Sequence, residues 1–298
     1  MTLCISLIGW EGVYQSTDHR LTMAGKAYRQ ESLKHIYVKT QHSCCLVSYI
    51  GAGHTRSGAE TVQWLRNSAA VRSHTVPSLL ANLASEAAKA YERVTPHVAF
   101  VIVGRAPESY FHAVVTNGRA GGRIAKDFDI AYSENGMITN QNYTFKPDVF
   151  AAGSGVRFIS DDDWRLMNEC VRTRPRSPID YVDLLAAVNI RTARRARLSG
   201  NETVSEWSHG AFVETTCRMV YAKSFYPLLT PRNVLPVMSF IVEGKDDSRK
   251  IDLALDDVTA RITEPATSHI LMAATTPEAR QTMDGWPNRH GSRLFLRV

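Results

Sequence analysis

Apolar runs broken by glycine, proline and polar clusters divide this chain into short strands and amphipathic helices. The first run, Leu3-Cys4-Ile5-Ser6-Leu7-Ile8, stops at Gly9-Trp10-Glu11-Gly12, and Val13-Tyr14-Gln15-Ser16-Thr17-Asp18 follows at once. Two such runs around a glycine-flanked break predict a β-hairpin. A turn centred between Trp10 and Glu11 pairs residues whose numbers add to 21. Thr2 then lies opposite His19, with Asp18 and Arg20 sharing one face because the strand period is two. A second hairpin is predicted from Leu33–Val38 and Cys44–Ile50 around a turn near Gln41, with Lys34 facing Ser48 or Tyr49. The loop Gly51-Ala52-Gly53 comes next.

Helical spacing takes over beyond it. Ser57 and Glu60 have capping-box spacing, and the helix they open carries Val62, Leu65 and Ala69 on one side. Pro77 starts a second helix with Leu80, Leu83, Ala84, Ala87, Ala88 and Tyr91 in register, stopping before Pro96. Val98–Val103 and Tyr110–Thr116 read as a hairpin ending at Asn117-Gly118, whereas residues 119 to 147 give only weak strands. Asp148–Ala152 is a strand running into Gly153-Ser154-Gly155, followed by a helix with Val156, Ile159 and Trp164. Another helix has Ser177 as N-cap and Pro178 at its first position, and ends in Arg191, Arg194, Arg195 and Arg197. Thr203–Trp207 and Ala211–Tyr221 are expected to pair around His209-Gly210. After Ala222, Pro227, Pro231 and Pro236 interrupt the chain before strands at Val237–Val242 and Ile251–Leu255. This order predicts helices covering the outer faces of largely antiparallel sheets.

Composition narrows the picture little. The 298 residues suffice for one large core with an extension, or for two domains. The formal charge of +6 is a mild excess over a long chain, and the Arg191–Arg197 cluster reads as a solvated helix end favoured by the helix dipole. No nucleic-acid motif accompanies it. Five cysteines without a CxxC pair suggest a reduced compartment and buried thiols, with no His/Cys spacing for zinc. The first apolar run is too short for a signal peptide, and no stretch approaches membrane-spanning length, so a cytoplasmic location is expected. No phosphate-binding glycine motif is present, and neither a cofactor nor a metal is expected.

What changes the picture is the chemistry gathered by the hairpins. Removal of Met1 leaves Thr2 first, with a hydroxyl nucleophile and an α-amine of pKa about 7.7–8.0 in one residue. Asp18, Lys34 and a glycine loop lie close by in the predicted pairing. Each feature alone has an ordinary reading: a surface ion pair, a solvated lysine, a tight turn. Together, Thr2, then Thr17-Asp18-His19-Arg20, then Lys34-His35-Ile36, with Asp18 and Lys34 sixteen and thirty-two positions after Thr2, form one ordered pattern.

That pattern resembles the proteasome β-subunit family of N-terminal nucleophile hydrolases, including its bacterial stand-alone and HslV-like members. The Gly51 loop, Ala152-Gly153-Ser154-Gly155 and Ser199-Gly200 fall in the family's order, so the resemblance covers residues 2 to 221. It implies an α+β fold, a four-layer αββα sandwich in residues 1–222, with residues 223–298 forming a β-rich C-terminal extension. It implies a threonine-type hydrolase of amide or peptide bonds. Thr2 would be the nucleophile, Lys34 would lower the amine pKa and steady the alkoxide, and Asp18 would hold Lys34. The N–H of Gly51, or Gly53 in a shifted loop, would bind the oxyanion. Ser154 and Ser199 would bond around the amino terminus, and Arg20 would support the hairpin.

The implied partners are a peptide or protein substrate, further copies in a ring or stacked homo-oligomer, and an ATP-dependent unfoldase, with no nucleic acid or membrane. The sequence departs from the family at Ala196, where an acidic residue is usual three positions before the serine matched by Ser199. That departure opens a second expectation, a catalytically inactive ring-forming or scaffold subunit.

Overall fold

Several strand ends meet at one place in this protein, and the pairing of its strands brings them there. The computed structural model describes residues 2–23, 26–29, 34–40, 42–92, 97–135, 147–172, 178–201, 204–215, 219–225, 238–243, 248–253 and 296–297. The first hairpin is β1 (Cys4–Ile8) and β2 (Gly12–Asp18), with Cys4 opposite Thr17 and Ile8 opposite Val13, the expected register. A small ribbon follows, β3 (Leu21–Met23) with β4 (Lys26–Arg29). The second hairpin is β5 (His35–Lys39) and β6 (Cys44–Gly51), with His35 opposite Ser48.

Helix α1 (Thr61–Asn67) is capped differently from the sequence expectation. Its N-cap is Glu60 without a side-chain bond, and the Ser57 hydroxyl lies 3.0 Å from that of Thr55. The capping box belongs instead to Thr75 and Ser78 at the start of α2 (Val76–Ala90), with Pro77 in its first turn. Strands β7 (Val98–Arg105), β8 (Tyr110–Gly118) and β9 (Ile124–Asn135) form a meander. Next come β10 (Asp148–Ala152), α3 (Asp161–Arg172) and α4 (Pro178–Leu198). The last strands are β11 (Ser208–Glu214), β12 (Met219–Phe225), β13 (Met238–Glu243), β14 (Ser248–Leu253) and β15 (Leu296–Arg297).

One sheet has the order β10-β1-β2-β11-β12-β15 and the other β14-β13-β5-β6-β7-β8-β9. Leu65 of α1 and Leu79, Leu83 and Ala87 of α2 pack on Val47, Phe100 and Phe111 of the seven-stranded sheet. Met167 of α3 and Tyr181, Leu185 and Val188 of α4 pack on Ile5, Tyr14 and Phe212 of the six-stranded sheet. Cys4, Ile50, Ala99 and Val101 form a smaller apolar contact between the sheets.

Three expectations are corrected here. Among the described residues the structure is α+β, two large sheets, a two-stranded ribbon and four α-helices, and the expected four-layer αββα sandwich with a separate C-terminal extension is corrected in that the described C-terminal strands belong to the two sheets. Strands from the C-terminal segment complete the sheets themselves: β13 runs parallel to β5 and β15 pairs with β12. The physical reason is that β5 and β12 would otherwise end their sheets as open edges. Second, His209-Gly210 is not a turn; both residues lie inside β11, opposite Thr17 and Ser16 of β2. Third, Cys44 is disulfide-bonded, while Cys4, Cys45 and Cys170 are free. The expected N-cap Ser177, the prolines 227, 231 and 236, Cys217, and 254–295 lie outside the described residues. Among the described residues no helix is long and apolar enough to cross a membrane.

Candidate functional site

Antiparallel pairing decides which strand ends are neighbours. Cys4 lies opposite both Thr17 and Ala152, so Thr2, just before β1, is carried to the end of β2 at Asp18 and the end of β10. Ser208 opens β11 opposite Asp18, which brings the preceding Ser205 alongside. In the other sheet His35 opposite Ser48 puts Lys34 at the end of β5 near the Gly51 end of β6. The sheets touch at this level, where Cys4 Sγ lies 3.1 Å from Ser48 Oγ.

The centre is an ion pair sealed from water. Lys34 Nζ lies 3.0 Å from Asp18 Oδ1, and both side chains are 0% exposed. All three ammonium donors are used: the others reach Thr2 Oγ1 at 3.0 Å and the Arg20 carbonyl at 2.6 Å. Asp18 is equally saturated. Its Oδ1 also accepts from Leu3 N–H at 3.0 Å, and its Oδ2 accepts from Arg20 N–H at 3.1 Å and Ser205 N–H at 3.3 Å. Burial lowers the Lys34 pKa from its ordinary value, and the charge and hydrogen bond of Asp18 oppose that shift.

Three buried histidines back this pair. The ring of His209 lies 5.9 Å from that of His19 and 5.3 Å from that of His35, whose Nδ1 is 3.2 Å from Thr17 Oγ1. Burial pushes the His19 pKa down to about 3, helped by the Lys34 charge. His35 and His209 are also held well below the ordinary imidazole value, first by burial. The cluster is therefore neutral at physiological pH, and Lys34 is the cation beside Thr2. Among the described residues no group of three His, Cys, Asp or Glu could hold a metal.

A glycine turn grips the Thr2 main chain. Gly153 has φ +103°, and a Cβ there would lie 2.0 Å from the Thr2 carbonyl oxygen. Gly155 N–H points to the same oxygen at 3.4 Å. Ser154 sits exposed between these two glycines, close to Thr2 in the chain path.

The residues expected from sequence divide accordingly. Thr2, Asp18 and Lys34 are bonded together, Arg20 contributes its backbone, and the Ser154 turn abuts them. Gly51 ends β6 with φ +96° and pairs with Val98, and a Cβ there would strike the His97 carbonyl at 1.8 Å. Its glycine is thus accounted for by packing. Ser199 is exposed just after α4 and donates to the Arg195 carbonyl at 3.1 Å. Ala196, in the position of the missing acid, is fully buried. Ser205 is not among the residues expected from sequence. It joins the site through its backbone N–H, which any residue but proline carries, so its side chain gives no signal.

No family model and no curated protein matches this chain. Among solved structures, an Anbu (Gly-1) mutant from Hyphomicrobium sp. strain MC1 is 11% identical, covering 75% of this chain and 87% of that chain, with a TM-score of 0.46. Anbu from the same strain is also 11% identical, covering 74% and 86%, with a TM-score of 0.44. The membership expected from the motifs, a proteasome β-subunit-like family of the bacterial stand-alone or HslV-like type, is corrected accordingly. No family is shown for this chain, and likeness at this level carries no argument. A handful of motif positions constrains the site and leaves most of the chain free to differ.

Two outcomes follow from this geometry. Gly153→Ala forces an L side chain into a left-handed conformation and against the Thr2 carbonyl, so stability should fall by ~1–3 kcal/mol in urea unfolding. The histidines set an acid response. The folded His19 stays neutral down to about pH 3, while the unfolded one takes up a proton near 6.5, so the unfolded state binds more protons between these values. Stability is therefore full above about pH 6.5 and falls on acidification at up to ~1.4 kcal/mol per pH unit for each such histidine. His19→Gln should make the urea midpoint less sensitive to pH across that window.

Proposed function

We propose that this protein hydrolyses amide or peptide bonds with Thr2 as an N-terminal nucleophile. The observation that carries the reading is the 3.0 Å contact from the buried Lys34 ammonium to Thr2 Oγ1. The reading requires processing that leaves Thr2 first. Its α-amine then takes the hydroxyl proton as Oγ1 attacks the substrate carbonyl. Lys34 stabilises the negative charge on Oγ1 during this transfer, and Asp18 fixes Lys34 in place. Collapse of the tetrahedral intermediate breaks the C–N bond, and the α-ammonium gives its proton to the leaving amine. Water then attacks the ester on Oγ1, with the amine again as base, and releases the acid and the free hydroxyl. The backbone N–H of Gly51, at the Lys34 end of β6, is assigned the oxyanion.

The proposal extends to a peptide or protein substrate, a homo-oligomeric ring or stack and an ATP-dependent unfoldase as partner. A cytoplasmic location belongs to it too: the free thiols Cys4, Cys45 and Cys170 favour this, and the Cys44 disulfide speaks against it. A second reading, a non-catalytic scaffold subunit, is favoured by the burial of Thr2, which is 3% exposed, and by Ala196.

Intact-mass spectrometry after treatment with a β-lactone or epoxyketone probe separates the two. Loss of Met1 with one adduct, absent in Thr2→Ala, supports the hydrolase; persistent Met1 or no adduct leaves the scaffold. Thr2→Ala should remove turnover of peptide substrates in a chain that still folds by circular dichroism, at a cost of ~1–3 kcal/mol because one buried Lys34 proton loses its acceptor. Lys34→Arg should lower kcat by about a hundredfold or more, because a forked guanidinium cannot make the three bonds of a compact ammonium. Lys34→Ala is the less informative variant: it strands a buried carboxylate and should cost ~3–5 kcal/mol of stability as well.

A further inference from the structure

Strand β9 ends the seven-stranded sheet beyond β8 and is unlike the strands inside it. Nine of its twelve residues are exposed, whereas β7 is buried in all but its last. Among the described residues no strand pairs with the outer side of β9, and an edge of this kind can accept a further strand. Charge commonly blunts such edges, and β9 carries Lys126, Asp127, Asp129 and Glu134. On one face the acids are already matched within the chain: the Arg119 guanidinium lies 3.3 Å from Asp127 and 3.0 Å from Asp129. The other face runs Ile124, Lys126, Phe128, Ile130, Tyr132, Glu134 at the strand period. Phe128 is buried in the core beside α2, but Ile130 and Tyr132 are each 42% exposed.

We propose that β9 is a self-association edge, on which a second copy of this chain lays its own β9 antiparallel about a two-fold axis through Ile130. The two seven-stranded sheets then become one continuous sheet, the isologous form of strand addition. The register follows from charge. With Ile130 on the axis, Phe128 meets the second copy's Tyr132, and Lys126 meets its Glu134, twice by symmetry. On the opposite face Asp129 meets Ala131 and Asp127 meets Ser133, so no like charges oppose each other. Side chains keep their faces only when the axis passes through a residue, which leaves few alternatives. Moving the axis to Asp129 puts two aspartates face to face, and moving it to Phe128 opposes Asp127 to Asp129. Moving it to Ala131 sets Glu134 against Phe128 and loses both ion pairs. The charges that blunt this edge toward other strands complement each other in the one register.

The test is the mass of the full-length chain by sedimentation equilibrium, with circular dichroism as a folding control. The wild type should form a dimer, or an assembly with an even number of copies. Lys126→Glu and Glu134→Lys each oppose like charges at two places and should weaken dimerisation at least tenfold. The double variant K126E/E134K re-forms both pairs and should return the affinity to near the wild-type value. Ile130→Arg, at an exposed position on the axis, should also dissociate the pair and serves if a charge variant misfolds. A monomeric wild type overturns the proposal, whether or not an extended peptide from another protein binds the edge. So does a mass unmoved by K126E, E134K and I130R, and so does a double variant that stays dissociated.

Discussion

The structure turns on a single unfavourable act, taking the charges of Asp18 and Lys34 fully out of water. Desolvating such a pair costs several kcal/mol per ion, and the attraction offsets this only when every remaining lone pair and proton finds a partner. That requirement reaches far into the fold. Asp18 needs N–H groups from Leu3, Arg20 and Ser205, and Lys34 needs the Arg20 carbonyl and the Thr2 hydroxyl. Those groups come from segments far apart in the chain, beside β1, β2 and β11. The neutral histidines belong to the same constraint: a second cation packed against Lys34 would add repulsion to the desolvation cost.

How much of this was legible in the sequence depends on the distance over which each interaction acts. The hairpins were legible because a glycine-flanked break and the strand period of two fix a register locally. That register alone predicts Asp18 beside Thr2, and β5 and β6 carry Lys34 as expected. What failed was non-local. His209-Gly210 looks like a turn by composition, yet β2 lies alongside and the pair becomes strand, with His209 opposite Thr17. The Ser205 amide leaves no trace in side-chain identity. β9 was hard to read because an outer strand need not be apolar on either face, and only Phe128 is buried.

The same distinction explains the fold-level correction. The strands β13 and β14 were recognisable from their own residues, and they read as an appendage because nothing local says which edge they meet. Backbone hydrogen bonding is indifferent to side chains, so an open edge accepts whichever strand arrives. Parallel pairing of β13 with β5 is the case a local reading misses, because it needs a long connection and has no turn signature.

The energetics of the ion pair bear on why it is there at all. A buried pair of this kind is a poor source of stability, and apolar side chains of like volume commonly do as well or better. Asp18 and Lys34 would be replaceable if they only filled space between the sheets. Their arrangement is also more specific than filling requires: one ammonium proton is committed to Thr2 Oγ1, and the Gly153–Gly155 turn fixes the main chain of that residue. In a low-dielectric setting that proton acts on the hydroxyl far more strongly than it would in water. It favours the ionised oxygen over the neutral one, which is a preference for the reacting state over the resting state. Stability gains little from that preference, whereas the nucleophilic role proposed for Thr2 would gain directly from it.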